Sequence, residues 1–325
     1  MDTGGEDGHE HGAISEGVSL AEFIKRYGSE EACERALFAS RWPQGWRCPK
    51  CDCEQSCTFY RDGRKYWKCY RCAHQTTLVS GTLFAATKLA LSQWFLALYV
   101  LTQTKNSVSS LELMRHLGVC YRTAWRVKHK IMQAMADRES TRQLAGRVEV
   151  DDAYLGGEKP GGKAGRGSEN KVPFVAAVQT TPEGHPQLMR LDPVSGFTKE
   201  AIGAWSKIAL MESTLVVSDG LNCFPAVTES GATHQPHRVG SGRQSVEHAE
   251  FRWINILLGN LKTSISGTYH AFKFRKYAHR YLAEVQYRFN RRFRLKDMLA
   301  RLLRAAVLAR PRSESTLRLT TVRTC

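Results

Sequence analysis

Two stretches decide the fold of the second half of the chain: Arg147-Val148-Glu149-Val150-Asp151-Asp152 and Leu215-Val216-Val217-Ser218-Asp219-Gly220. Each is an alternating or apolar run that ends in an aspartate and opens into glycine, at Gly156-Gly157 and at Gly220. Alternation with period two marks a half-buried strand, and the glycine that follows marks its turn. Two further β-rich runs, VPFVAAVQ (172–179) and PQLMRLDPV (186–194), lie between them. A helix-like segment, Thr198 to Met211, separates the third run from the fourth, and helical segments at 245–265 and 276–290 close the region. Strands first, helices later and one helix between them predict a mixed sheet flanked by helices.

A carboxylate at the end of each of two adjacent strands can share divalent cations. Asp151 and Asp219 are that pair. Two Mg²⁺ ions about 3.5–4 Å apart would activate an attacking oxygen and stabilise a leaving one in phosphodiester transfer. Magnesium favours hard carboxylate oxygens and leaves waters and phosphate for the rest of its shell. Aspartate is also a common turn residue, so the strand ends alone do not assign the chemistry. Asp152 is expected on the opposite strand face, because side chains alternate, and ranks behind Asp151.

Upstream, Cys48-Pro49-Lys50-Cys51 is followed after 17 residues by Cys69-Tyr70-Arg71-Cys72. That spacing is a four-cysteine zinc ribbon. A two-residue gap lets both thiolates of each pair reach one tetrahedral Zn²⁺, and four thiolates leave no open position, so the zinc is structural. Asp62-Gly63 supplies a hairpin turn between the two pairs. Arg61, Arg64, Lys65 and Lys68, interleaved with Phe59, Tyr60, Tyr66 and Trp67, favour a nucleic-acid partner.

A second DNA-binding signal follows. Ser109-Ser110-Leu111-Glu112 fits a capping box with Ser109 as N-cap. Leu111, Met114 and Leu117 are expected to face inward, with Gly118 at a tight turn. Ala124, Val127 and Ile131 form the buried stripe of the next helix, and Arg122, Arg126, His129 and Lys130 fall on its other side. A basic, solvent-facing second helix after a glycine turn is what a helix-turn-helix places in the major groove. A plain helical hairpin with a solvated charged face is the competing reading.

Net charge agrees with a polyanionic partner. Lys and Arg number 47 against 31 Asp and Glu, a formal charge of +16. Apolar residues at 42% and charged residues at 24% exclude a disordered chain. No apolar run is long enough to span a bilayer, and no Lys or Arg precedes Lys25, so neither a membrane span nor a secretory signal is expected. A cytoplasmic, nucleoid-associated protein follows from this. The glycine-rich loop 156–168 approaches a phosphate-binding loop, but Ala164 stands where Ser or Thr would bind Mg²⁺, so a flexible basic loop is expected. The domain plan is therefore an acidic tail at 1–18, helices plus zinc ribbon at 19–84, a helix-turn-helix at 85–140, a catalytic domain at 145–295 and a basic tail at 296–325.

The chain resembles the bacterial insertion-sequence transposases that join an N-terminal zinc ribbon to an ISXO-type catalytic domain, relatives of the eukaryotic Merlin elements. The likeness runs from about Arg41 to Phe293 and rests on RWPQGWRCPKC, YWKCYRCAHQTTLVSGT, LGVCYRTAWRVKHKI, VEVDDAYLGG, VVSDG, LKTSISGTYH and RYLAEVQYRFNRRF together. It implies an RNase H-like domain whose acidic triad uses Mg²⁺ or Mn²⁺ to cut element ends and transfer strands to target DNA. It also implies a homo-oligomer that holds two ends of double-stranded DNA. The first two triad positions map to Asp151 and Asp219. The third lies seven residues before a lysine; that lysine is Lys262, and the residue is Asn255 where the family usually has Glu. A branch of the family is expected to carry Asn there, giving an Asp-Asp-Asn site. Asn offers a carbonyl oxygen but no charge.

Alternatives stay open at this point. Glu250 and Glu284 are rival third acids. Asn255, Gly259 and Lys262 share one helical face beside the stripe Ile254, Leu257, Leu258, Leu261 and Ile265, so Lys262 is placed to meet phosphate. Arg280, Arg288, Arg291 and Arg292 are candidates for backbone phosphate contacts. His270 belongs to a family marker with no derivable role. The competing function is a catalytically inert zinc-ribbon and helix-turn-helix DNA-binding regulator; a structure-specific nuclease is a third.

Overall fold

The computed structural model of the chain describes residues 16–157, 170–237, 249–269 and 273–319. Most of the acidic tail, most of the glycine-rich loop and His270 lie outside the described residues. Two short helices open the fold, α1 (Leu20–Tyr27) and α2 (Glu30–Arg41). Ser19 and Ser29 cap them, each side chain accepting the N–H three residues on, from Glu22 and Ala32. Gly28 breaks the pair: a Cβ there would sit 2.4 Å from the carbonyl oxygen of Ile24.

The ribbon follows as an antiparallel meander, β1 (Ser56–Arg61), β2 (Arg64–Cys69) and β3 (Gln75–Thr77). Asp62 and Gly63 both take positive φ, 51° and 71°, which is the backbone a two-residue hairpin of matching twist requires. Trp42, Trp46 and Trp67 pack with Cys48 and Cys69 as its small core.

Helices α3 (Leu91–Gln103), α4 (Ser110–Leu117) and α5 (Tyr121–Glu139) come next. Ser109 caps α4 by accepting from Glu112 N–H, and Gly118 ends it at φ 62°, as expected. The inward face of α4 is Ser110, Leu113 and Leu117; Leu111, expected inside, is 47% exposed. Ala124, Val127 and Ile131 are buried as expected.

The second half builds a five-stranded sheet from β4 (Arg147–Leu155), β5 (Val172–Thr180), β6 (Pro186–Pro193), β7 (Leu215–Ser218) and β8 (Thr233–Pro236). Its order is β6-β5-β4-β7-β8. β5 runs antiparallel to both neighbours, while β4, β7 and β8 are parallel. On one face Val148, Val150, Val175 and Ala177 meet Ile202, Trp205 and Ala209 of α6 (Lys199–Ala209). On the other, Ala153, Leu155, Phe174, Ala176 and Val178 meet α7 (Arg252–Thr268) and α8 (Phe274–Phe289). The buried stripe of α7 is Ile254, Leu257, Leu258, Leu261 and Ile265, as its spacing predicts.

Two expectations about organisation are corrected. Residues placed in a basic tail form α9 (Leu295–Leu308), and Met298, Leu299, Leu302, Leu303 and Ala306 are buried in the core of α1–α5. Its arginines obscured an apolar stripe at helical spacing. A last helix, α10 (Glu314–Leu319), returns to α5 and buries Leu317 completely. Nor does α5 belong to an N-terminal unit alone: it packs along α8, and Trp125 and Met132 join the core beneath the sheet.

Candidate active site

β4 and β7 pair only as far as Val150 and Ser218. Asp151 therefore stands one residue beyond the end of that pairing, and Asp219 one residue beyond the end of β7. Carboxylate oxygens of Asp151, Asp152 and Asp219 lie within 4.8 Å of one another. That is close enough for one divalent cation to touch them together, and oxygen-only donors of this kind fit a hard ion. Asp151 accepts the N–H of Asp152 at 2.8 Å, and Asp219 accepts that of Leu221 at 3.0 Å. Burial, then the negative charges of Asp152 and Asp219, push the Asp151 carboxyl up to about 7; the cation of Lys262 opposes this. A buried carboxyl held neutral beside two other acids is one that an incoming cation would favour in its ionised form.

The expected position of Asp152 is corrected. It joins the cluster instead of pointing away. The pairing of β4 with β7 ends at Val150 and Ser218, and an oxygen of each of these two successive carboxylates comes within 4.8 Å of the other just beyond it.

α7 carries the other two candidates. Lys262 is exposed on it, near enough for its charge to act on Asp151. Asn255 is half-buried seven residues earlier, on the same helical face as Lys262. The rival acids lie elsewhere. Glu284 is fully buried on α8, where Lys128 Nζ of α5 stands 4.0 Å from its carboxylate. Glu250 is paired with Arg147. Among the described residues neither belongs to the aspartate cluster.

Glu149 was not singled out by sequence pattern. It lies on the same face of β4 as Asp151, 1% exposed, and its Oε2 accepts the N–H groups of Trp253 and Ile254 at 3.0 and 2.9 Å. A glutamate inside an alternating run reads as an ordinary outward residue; a buried partner made far along the chain leaves no local signal.

In the ribbon the sulfurs of Cys48 and Cys72, Cys51 and Cys69, and Cys51 and Cys72 are 3.5, 3.6 and 3.4 Å apart. Four sulfurs at about 2.3 Å from a tetrahedral zinc stand roughly 3.8 Å from each other, so the donor set fits that ion. The two cysteine pairs are built alike. Asp52 N–H reaches Cys48 O and Ala73 N–H reaches Cys69 O, while Cys48 N–H and Cys69 N–H bond to the carbonyls of Cys53 and His74. Asp52 and Ala73 both take positive φ, 58° and 54°, to close these loops.

The cationic candidates divide. Arg122 and Arg126 are exposed on α5, and both face Glu314 of α10, at 2.9 and 3.8 Å. His129 is corrected: it is fully buried, stacked on Trp125 with ring centres 4.1 Å apart, and its Nδ1 lies 3.1 Å from the Arg280 guanidinium. Lys130 is half-buried and donates to Leu83 O at 3.1 Å. Arg280 is fully buried; Arg288 donates to Thr104 O; Arg291 pairs with Glu139 at 2.6 Å. Arg292 donates to Pro186 O and to Gln187 O, the latter at 3.1 Å. All four guanidinium groups have partners inside the protein: α8, which carries Arg280 and Arg288, is enclosed by the sheet and α5, and Arg291 and Arg292, just past its end, meet α5 and β6.

Comparison with known proteins agrees with this layout. Residues 143–290 match the ISXO2-like transposase domain, and residues 28–75 match the transposase zinc-ribbon domain. Over these residues the chain is similar to the transposase zinc-ribbon and ISXO2-like transposase domain families. It is also similar to an uncharacterized protein in transposable element ISH50 of Halobacterium salinarum, 27% identical over 78% of this chain and 92% of that one. The ISXO2-like transposase domain contains every strand of the large sheet together with Asp151, Asp219, Asn255 and Lys262. The transposase zinc-ribbon match contains all four clustered cysteines. Helices α3–α5 lie between the two matches. No helix among the described residues is long and apolar enough to cross a membrane.

Proposed function

We propose that the protein cuts the ends of an insertion sequence and transfers the strands to target DNA, with an RNase H-like domain as the catalytic unit. One observation carries this reading: aspartates of β4 and of the residue after β7, where the pairing of those two strands ends, lie within one cation's reach, beside a lysine on α7. Asp151, Asp219 and Asn255 would hold Mg²⁺ or Mn²⁺. When bound, the ions supply an activated oxygen nucleophile and charge neutralisation at the scissile phosphate. Asp151 and Asp219 would hold the cation at the end of the β4–β7 pairing, where its charge could offset that of the phosphate. Lys262, exposed at the mouth of the cluster, binds a non-bridging phosphate oxygen. Asn255 contributes a neutral oxygen, so the third position adds no repulsion between carboxylates.

DNA is held by two further elements in this reading. The ribbon, folded on Zn²⁺ at Cys48, Cys51, Cys69 and Cys72, presents its basic and aromatic strands. Helices α4 and α5 act as a helix-turn-helix, with Arg122 and Arg126 contacting the inverted repeat. Two copies holding two ends would form the synaptic complex.

An assay with purified protein, DNA bearing an element end and Mg²⁺ tests the proposal. The parent protein cuts and joins, whereas Asp151→Ala and Asp219→Ala bind the end without cutting it. Full metal-dependent strand transfer by either variant would refute the assignment. End binding without cutting by the parent protein would support the regulator instead, and cutting of junctions without joining would support the nuclease.

A further inference from the structure

Glu149 occupies an expensive place. It lies in the central strand, paired with Val178 of β5 on one side and Val217 of β7 on the other, and is 1% exposed. A charge so placed is tolerated only when its oxygens are satisfied. Both are. Oε1 meets Arg147 Nη1 at 2.9 Å, and Oε2 accepts from the Trp253 and Ile254 N–H groups. Those two N–H groups belong to the first turn of α7. Its own N-cap residue, Phe251, has no side-chain acceptor, and its first turn holds no acid. The carboxylate that satisfies the helix start and its dipole therefore comes from another element. Arg147 extends the clamp by donating to Glu250 O at 3.1 Å, just before the helix.

The place of this clamp matters more than its strength. Glu149 is two residues from Asp151 on one strand face, and the Ile254 N–H it holds is one residue from Asn255. We propose that Glu149 is a positioning residue that sets the distance between Asn255 and the Asp151–Asp219 pair, and with it the grip on the metal. This rests on the reading of Asn255 as the third ligand. Glu149 touches neither metal nor DNA; it acts through the start of α7.

The test uses the full-length, zinc-loaded protein, with Mn²⁺ titrated and the free ion followed by electron paramagnetic resonance. Glu149→Gln keeps an acceptor but loses the charge and the Arg147 pair. Removing a group that orients a metal ligand typically costs 10–100-fold in affinity, so Mn²⁺ binding should weaken by about tenfold while end-DNA binding is retained. Adding Glu149→Gln to Asn255→Ala should cost nothing beyond Asn255→Ala alone, because both act on the same contact. Parent-like Mn²⁺ affinity in Glu149→Gln, an unchanged affinity in Asn255→Ala, or a double variant whose loss is the product of the single losses would each overturn the proposal. If Glu149→Gln does not fold, Arg147→Met frees one carboxylate oxygen and should weaken Mn²⁺ in the same direction; unchanged affinity there overturns it. Asp151→Asn is the control. If that variant binds Mn²⁺ as the parent does, the metal-site reading itself fails and the role of Glu149 falls with it.

Discussion

Replacing Asp151 by Asn should stabilise the metal-free catalytic sheet, and more so as pH rises. The Asp151 carboxyl stands at about 7 in the folded chain against an ordinary 3.8, owing to burial first and to Asp152 and Asp219 next. A raised folded value means that the acid's favourable contribution is complete below 3.8 and is lost as pH climbs through about 7. At about 1.4 kcal/mol per pH unit, the raised Asp151 value costs the folded protein roughly 2 kcal/mol at pH 5.5, where it keeps a proton that the unfolded chain releases, and roughly 4 kcal/mol at pH 8, where it holds the buried charge. Asn keeps the shape and has no proton to lose. Urea denaturation in divalent-free buffer, with the ribbon still zinc-loaded, should therefore show Asp151→Asn ahead of the parent by a margin that widens by about 2 kcal/mol between those two conditions. Mn²⁺ at 100 times its dissociation constant stabilises only the protein that binds it, by about 2.7 kcal/mol, so it should bring the parent level with or ahead of Asp151→Asn at pH 5.5 and narrow the margin, without reversing it, at pH 8. A margin that does not change with pH, or an Asn variant less stable than the parent at both values, would show that Asp151 does not sit in a crowded acidic cluster.

Three other perturbations give separate checks. Glu284→Ala leaves Lys128, which is fully buried, without its charged neighbour, and should cost about 3–5 kcal/mol in thermal or urea unfolding without selectively removing Mn²⁺ binding. Glu314→Gln releases Arg122 and Arg126, so end-DNA affinity should rise and its salt dependence should steepen by about 0.9 for each phosphate gained, read from binding at several salt concentrations. Cys69→Ser, or removal of zinc by a chelator, should unfold the ribbon and expose the buried Trp67 to water, shifting tryptophan emission to the red; unchanged emission would contradict a metal-held core.

Much of this layout is legible in local pattern, because local physics produces it. The two cysteine pairs, the Asp62-Gly63 turn, the Ser109 cap and the aspartate just past β7 each depend on neighbours in sequence, whereas β4 continues beyond Asp151 to Leu155 instead of ending there. The remainder depends on what covers each element. The polar side of α5 resembles a solvent face until α8 is laid along it; there Lys128 and His129 are buried against Glu284 and Arg280. The arginines of α8 resemble phosphate contacts for the same reason. β8 has only four residues, Thr233–Pro236, with no apolar alternation to mark it. Asp152 reaches the aspartate cluster while keeping its regular register opposite Val175 of β5, so the alternation of the strand does not reveal it. Glu149 makes its decisive bonds more than a hundred residues along the chain, beyond any periodicity.

The central claim is that Asp151 and Asp219 grip one divalent ion, and iron-directed backbone cleavage tests it where it is made. With Fe²⁺ in place of Mg²⁺, ascorbate and peroxide generate hydroxyl radicals at the bound ion. Fragments should end near Asp151 and near Asp219, should fade as Mg²⁺ is added, and should vanish in Asp151→Asn. Cleavage at only one of the two strand ends, or a pattern untouched by that substitution, would contradict a shared ion.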